Sequence, residues 1–336
     1  MSDRWRVDRE VVLDEVLHGD QVAAIRRESR VLVGDGPPLA VERTCAVGGT
    51  PRAVIVLVHG FAQNRFTWRV QGRSLVARLA VDGFDVWNLE LRGHGASREA
   101  GAPSATAFAD YVEDLVRVAR AAPAPPWVIG HSLGAGVGIG AATTTPLAGL
   151  IHLAGVWQFA AHNPTLRALA AASLAAERPL TALGARFSTA WAGRALGRLY
   201  GVTEIAGFGF PISGWTPDAI ERPLLEERLA LGFDWTSVAV WLEMARWASG
   251  APFPYAEAFG RLDLPLLVVA GDHDPLVTPR DARACYEASA SRDKSLRVFD
   301  RFEHDVHWGH VDLILGRRAP DHVWPCITAW LAERVP

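Results

Sequence analysis

Short apolar, β-branched runs alternate along the chain with longer stretches of helical periodicity, the pattern of a largely parallel sheet covered by helices on both faces. Val54–Val58, Phe84–Leu91, Trp127–Ile129, Gly149–Leu153, Leu264–Ala270 and Ser295–Phe299 read as strands. Between them, Phe66–Leu79 and Ala105–Ala121 read as helices; in the second, Phe108, Tyr111, Val112, Leu115 and Val118 recur at helical spacing. Ser29–Val33 and Leu39–Cys45, separated by Gly34-Asp35-Gly36-Pro37-Pro38, predict an antiparallel hairpin. Residues 1–27 are expected to form an N-terminal helical segment ahead of it.

The alternation stops near Gly155 and resumes near Leu262. The intervening residues have no strand-like run, which predicts a mainly helical insertion, 156–261, in a core made of 28–155 and 262–336. Six of the 13 tryptophans fall in the insertion: Trp157, Trp191, Trp215, Trp235, Trp241 and Trp247. Asp234 is placed to cap a helix over Trp235–Trp247, and Pro211, Pro217, Pro223, Pro252 and Pro254 divide the remainder into short pieces.

Composition narrows the classes. With 49% hydrophobic residues in 336 and a net charge of -3, the chain can bury a large core, and disorder is not expected. Nucleic acid is a poor partner, because 34 basic side chains are balanced by 37 acidic ones and no basic cluster stands out. Lys294 is the only lysine, an arginine bias that hints at a GC-rich bacterial genome. Cys45, Cys285 and Cys326 are odd in number and far apart, so neither a disulfide framework nor a CxxC site is expected. Met1–Arg30 is charged throughout and does not read as a secretory signal, and no integral membrane segment is expected; the cytoplasm is the default location.

The sharpest chemical signal is Gly130-His131-Ser132-Leu133-Gly134, directly after an apolar strand and before a Gly/Ala-rich helical stretch. A nucleophile on a sharp strand-to-helix turn needs small neighbours, and Gly130, Gly134 and Gly136 supply them. A serine hydroxyl also needs a base and a group to orient that base. Downstream, Gly271-Asp272-His273-Asp274-Pro275 follows a strand, and Trp308-Gly309-His310-Val311-Asp312 follows the next. His304 and His307, with Asp305 and Asp312, offer a competing metal-cluster reading, but no zinc word such as HExxH accompanies them.

The order Ser132, Asp274, His310, together with His59-Gly60-Phe61 and Leu91-Arg92-Gly93-His94-Gly95, resembles the α/β-hydrolase fold family over nearly the whole chain. The resemblance implies an α/β fold whose mostly parallel sheet carries an inserted cap, and a serine hydrolase with Ser132 as nucleophile and His310 as base. It implies Asp274 as the acid, with Asp272 as the alternative, and an oxyanion hole made by the backbone N–H groups of Phe61 and Leu133. His59, Gly60, His131, Trp157 and Trp241 are then expected around the substrate. Gln63, Asn64, Arg65 and Trp68 either join them or form an ordinary loop. Glu90 stands where the family usually has Asp before its Arg-Gly-x-Gly word. The tail Gly309–Gly316 is similar to a word of acid-lipase-like hydrolases, which favours a small-molecule or lipid carboxylic ester with an apolar acyl or alcohol part. No cofactor or metal is implied. Acyl transfer, thioester or lactone cleavage on the same residues, and a non-catalytic binding role, remain as alternatives.

Overall fold

The computed structural model describes residues 3–182 and 214–335, together with the backbone of 186–188. Trp191 and Pro211 therefore lie outside the described residues. Nine strands build most of one sheet: β1 (Arg4–His18), β2 (Gln21–Val33), β3 (Leu39–Ala46), β4 (Val54–Val58), the two-residue β5 (Arg69–Val70) and β6 (Arg73–Ser74), then β7 (Asp85–Leu89), β8 (Trp127–His131) and β9 (Gly149–Leu153). After the insertion, which contributes the short β10 (Arg186–Ser188) and β11 (Trp235–Ser237), come β12 (Leu266–Gly271) and β13 (Lys294–Phe299). The sheet runs β13-β12-β9-β8-β4-β7-β3-β2-β1-β6-β5, parallel from β13 to β7 and antiparallel from β7 through β3 and β2 to β1.

The continuous apolar runs follow from burial on both faces. In β4, Val54, Val56 and Val58 enter the core beneath the helices Phe108–Arg120 and Leu133–Ala142, while Ile55 and Leu57 enter the opposite core with the helices Leu75–Val81 and Ala319–Ala332. β12 repeats the division, with Leu266, Val268 and Ala270 on the first side and Leu267 and Val269 on the second. Among the described residues, no helix is long and apolar enough to cross a membrane.

Three expectations need correction. Residues 1–27 are not helical: β1 and β2 form a long antiparallel hairpin that extends the sheet. β-branched Val7, Val11, Val12, Val16 and Val22 favour the extended backbone, and Gly19, at φ +52°, makes the turn between the strands. The hairpin is pinned where Trp5 meets the Trp87 ring edge-on at 5.2 Å and where Arg117 Nη2 meets Asp3 Oδ1 at 2.7 Å. Phe66–Leu79 is not one helix: a 3-10 turn over Arg65–Thr67 and the two short strands β5 and β6 precede an α-helix that begins at Leu75, because Gly72 takes φ +93° and Ser74 caps the helix by accepting from Ala77 N–H at 3.0 Å.

The third concerns the insertion, which is not free of strand: β10 pairs with β11. The helix there is Val238–Ala248, capped by Ser237 rather than Asp234. Asp234 instead accepts from the Gly95 N–H at 2.8 Å and pairs with Arg98, tying the insertion to the core.

Near the end of β9, His152 is fully enclosed, and burial pulls its pKa down to about 4. A folded-state value below the unfolded 6.5 means that the unfolded chain takes up the proton first, so this residue costs stability as pH falls from about 6.5 towards 4. The loss amounts to about 2 kcal/mol at about pH 5. His152→Leu should therefore flatten the pH dependence of urea-unfolding free energy between about pH 7.5 and 5 by that order; an unchanged slope would refute the assignment.

Candidate active site

Ser132 stands at the turn between β8 and the helix Leu133–Ala142 with φ 57° and ψ -123°, a conformation rare outside glycine. Tertiary hydrogen bonds hold it there: Ser132 N–H donates to Leu153 O at 3.1 Å, and Ser132 O accepts from Val156 N–H at 3.0 Å. The glycines around it are space requirements. A Cβ at Gly130 would lie 2.4 Å from Ala135 Cα, one at Gly134 would lie 2.2 Å from Val58 O, and one at Gly60 would lie 2.9 Å from Ser132 Cβ. The start of the helix thus rests directly on the end of β4.

His310 and Asp274 arrive from loops beyond β13 and β12, and both are buried. The His310 Nδ1–H donates to Asp274 Oδ2 at 2.7 Å, while Asp274 Oδ1 accepts from the N–H groups of Leu276 at 2.8 Å and Val277 at 3.0 Å. On the other side of the ring, the buried His310 Nε2 has no hydrogen-bond partner. Asp272 turns elsewhere, towards His307 Nδ1 at 2.6 Å and Trp308 N–H at 2.9 Å. Asp274, not Asp272, is the carboxylate that meets His310.

Ser132 and His310 open onto one cavity of about 400 Å³. Phe61 and Gln63 lie on its core side; Val156, Phe159, Trp215, Trp241 and Met244 belong to the insertion. Trp241 packs against Phe61 at 6.0 Å between ring centroids and against Phe159 at 6.3 Å. Leu133 is the first residue of its helix, so its N–H has no acceptor within that helix, and its side chain points into the core.

Several residues expected around a substrate are elsewhere. Trp157 is buried against Phe253 and Phe259, as part of the insertion's own packing. His59 does not line the cavity: its Nδ1–H donates to Gly60 O at 2.9 Å and its Nε2 accepts from Leu91 N–H at 3.2 Å. Burial and the neighbouring His94 lower its pKa to about 3, so it stays neutral. His131 lies behind the site, donating from Nε2 to His310 O at 3.1 Å, with burial and the nearby His310 pushing its pKa well down. Gly60 acts through the space it leaves for Ser132.

Of the loop residues, only Gln63 reaches the cavity; Asn64 caps a turn by accepting from Phe66 N–H, Arg65 pairs with Glu90, and Trp68 is in the core. Glu90 also accepts from Ala96 N–H at 2.6 Å, a structural role for the departure from the usual Asp.

The metal reading from His304, Asp305, His307 and Asp312 finds no common site: His304 Nδ1 lies on Asp300 O, and Asp312 accepts from Gly309 N–H at 2.7 Å and Thr216 N–H at 2.8 Å. Among the described residues, Asp272, His273 and His307 do offer ligand atoms within 4.8 Å of one another, outside the Ser132 cavity. Two contributors were missed from sequence. Asp312 clamps the turn that carries His310 to Thr216 of the insertion. Arg228 lines the cavity from the helix Arg222–Leu231, between Leu225 and Leu229, and an arginine in that apolar stripe was the readable signal.

Against known proteins, the model of the Alpha/beta hydrolase family matches residues 55–318. The chain belongs to that family. It is 24% identical over 278 residues to the monoacylglycerol lipase of Mycolicibacterium smegmatis, covering 76% of this chain and 82% of that one. Among solved structures, a soluble variant of monoglyceride lipase from Saccharomyces cerevisiae superposes with a TM-score of 0.65 at 16% identity, covering 91% of this chain and 95% of that one. The monoacylglycerol lipase of Paleococcus ferrophilus gives 0.60 at 19% identity, covering 88% and 99%. At these identities the superpositions speak to the fold.

The glycine contacts make a direct prediction. Gly134→Ala must push the helix off the β4 carbonyls and should lower the unfolding free energy by about 1–3 kcal/mol. Gly49→Ala, with nothing within 4 Å of the added methyl, should be near neutral. Urea denaturation of the two variants side by side checks the difference.

Proposed function

We propose that the chain is a serine hydrolase of carboxylic esters with an apolar acyl or alcohol part. The observation that carries this reading is that His310, bonded through Nδ1 at 2.7 Å to the buried Asp274 and without a hydrogen-bond partner on Nε2, lines the same apolar cavity as Ser132. The lipase names of its relatives support it.

In this mechanism His310 Nε2 takes the Ser132 hydroxyl proton as Oγ attacks the ester carbonyl. The oxyanion of the tetrahedral intermediate accepts hydrogen bonds from the N–H groups of Phe61 and Leu133, backbone donors of the kind that stabilise such an anion without reorganisation. Collapse breaks the bond to the alcohol, which leaves with the proton from His310, and an acyl-serine remains. Water then attacks the acyl carbon, giving its proton to His310; the acid departs and Ser132 recovers its proton. The Asp274 carboxylate fixes the ring through Nδ1–H and offsets the imidazolium charge in both halves.

The insertion serves as a cap. Phe159, Trp215, Trp241 and Met244 line the cavity beside Ser132 and supply the apolar surface that a hydrocarbon chain would occupy.

Ser132→Ala should abolish labelling by a fluorophosphonate and hydrolysis of p-nitrophenyl esters. Asp274→Asn should reduce kcat by about 10³-fold or more, whereas Asp272→Asn, which loosens the approach to His310, should cost far less. Equal losses from the two aspartates, or residual labelling of Ser132→Ala, would overturn the assignment.

A further inference from the structure

Among the described residues, four arginines are buried: Arg73, Arg92, Arg117 and Arg228. Three have their charge met. Arg73 pairs with Glu221 at 2.7 Å and also donates to Leu315 O, Arg92 holds Asp114 and Glu113, and Arg117 holds Asp3 and Pro37 O. Arg228 is the most enclosed of the four at 3% exposure, yet its Nε and Nη1 have no hydrogen-bond partner; its guanidinium packs against Gly232 and lies 5.7 Å from the centroid of the Phe233 ring. Burial alone lowers its pKa, to about 10, which leaves it cationic at neutral pH.

An unpaired buried charge is costly, and a fold does not keep one without compensation. Arg228 lines the cavity that holds Ser132 and His310, and among the described residues the other polar side chains around it, Gln63 and Ser173, carry no charge. Among the described residues no side chain supplies the counter-charge, which leaves it to what enters the cavity. We infer that Arg228 is a specificity residue that binds a carboxylate on the substrate, so that the preferred ester carries a carboxylate separated from the scissile bond by an apolar spacer.

This rests on the ester-hydrolase reading. A single guanidinium matches a single carboxylate in charge, and a hydrogen bond between the two is charge-assisted. A phosphate dianion would bring an excess negative charge into a wall that is otherwise apolar. The walls in turn require the rest of the molecule to be hydrocarbon.

The test compares p-nitrophenyl hexanoate with mono-p-nitrophenyl adipate, which differ by the terminal carboxylate, and extends the diacid series from succinate to suberate. The wild type should favour at least one diacid monoester over its neutral counterpart in kcat/KM. In Arg228→Met that ratio should fall by about 30-fold, in keeping with loss of a charge-assisted hydrogen bond away from water. Arg228→Lys should lie between them. A preference for the neutral ester across the whole series in the wild type, or the same ratio in Arg228→Met, would overturn the inference.

A second arm needs no turnover. Calorimetric titration of Ser132→Ala with hexanoate and with hexanol should show tighter binding of the anion, and adding Arg228→Met should remove the difference. Binding that depends on Arg228 without turnover of any ester would leave the anion site standing and remove the hydrolase reading; ester turnover with no dependence on Arg228 would do the reverse. Neither result would remove both. Thermal melts guard against misfolding: Arg228→Met deletes an uncompensated charge and should melt no lower than the wild type.

Discussion

The closeness of the helix Leu133–Ala142 to the ends of β4 and β8 is the constraint on which the rest of the site depends. Gly134 lets the helix touch the carbonyls of Val58 and His59, and Gly130 lets the strand pass beneath Ala135. Only with those backbones in contact can the chain turn sharply enough to present Ser132 at positive φ. That turn in turn leaves the Leu133 N–H at the unpaired end of a helix. The energetic cost of the strained residue is met by its bonds to Leu153 and Val156 and by the packing of an almost wholly buried helix.

Much of this was legible in the sequence because it is local. A strand buried on both faces has to be apolar throughout, so β4, β8, β9 and β12 could be read to within about two residues, in line with the usual uncertainty of element ends. Ser132, His310 and Asp274 were readable because each sits in a short word with fixed neighbours. Direction separates Asp274 from Asp272: two residues apart in the chain, one carboxylate faces His310 and the other faces His307.

What the sequence concealed depends on distant partners. The valines of β1 become strand because β2 is there to pair with them, and nothing within the first 27 residues alone declares that register. Trp157 and Trp241 look alike in composition. One meets Phe253 and Phe259, the other Phe61, and so one is packing and the other is cavity wall. Asp234 carries an acidic label suited to a helix cap, but the orphaned N–H of Gly95 and the Arg98 guanidinium, more than a hundred residues earlier, claim it.

The hairpin that lengthens the sheet also ends it. Among the described residues, β1 meets the rest of the sheet beyond β2 only where His18 pairs with Arg73, so most of its outer edge pairs with no described strand. Such an edge is a template for a stray strand. Along it, Arg4, Arg6, Asp8, Arg9, Glu10 and Asp14 are all exposed, and Arg6 is bonded to Asp8. An incoming strand would have to desolvate or displace this row of charges, so the same residues that obscured the strand in the sequence act as gatekeepers against amyloid-like growth of the sheet.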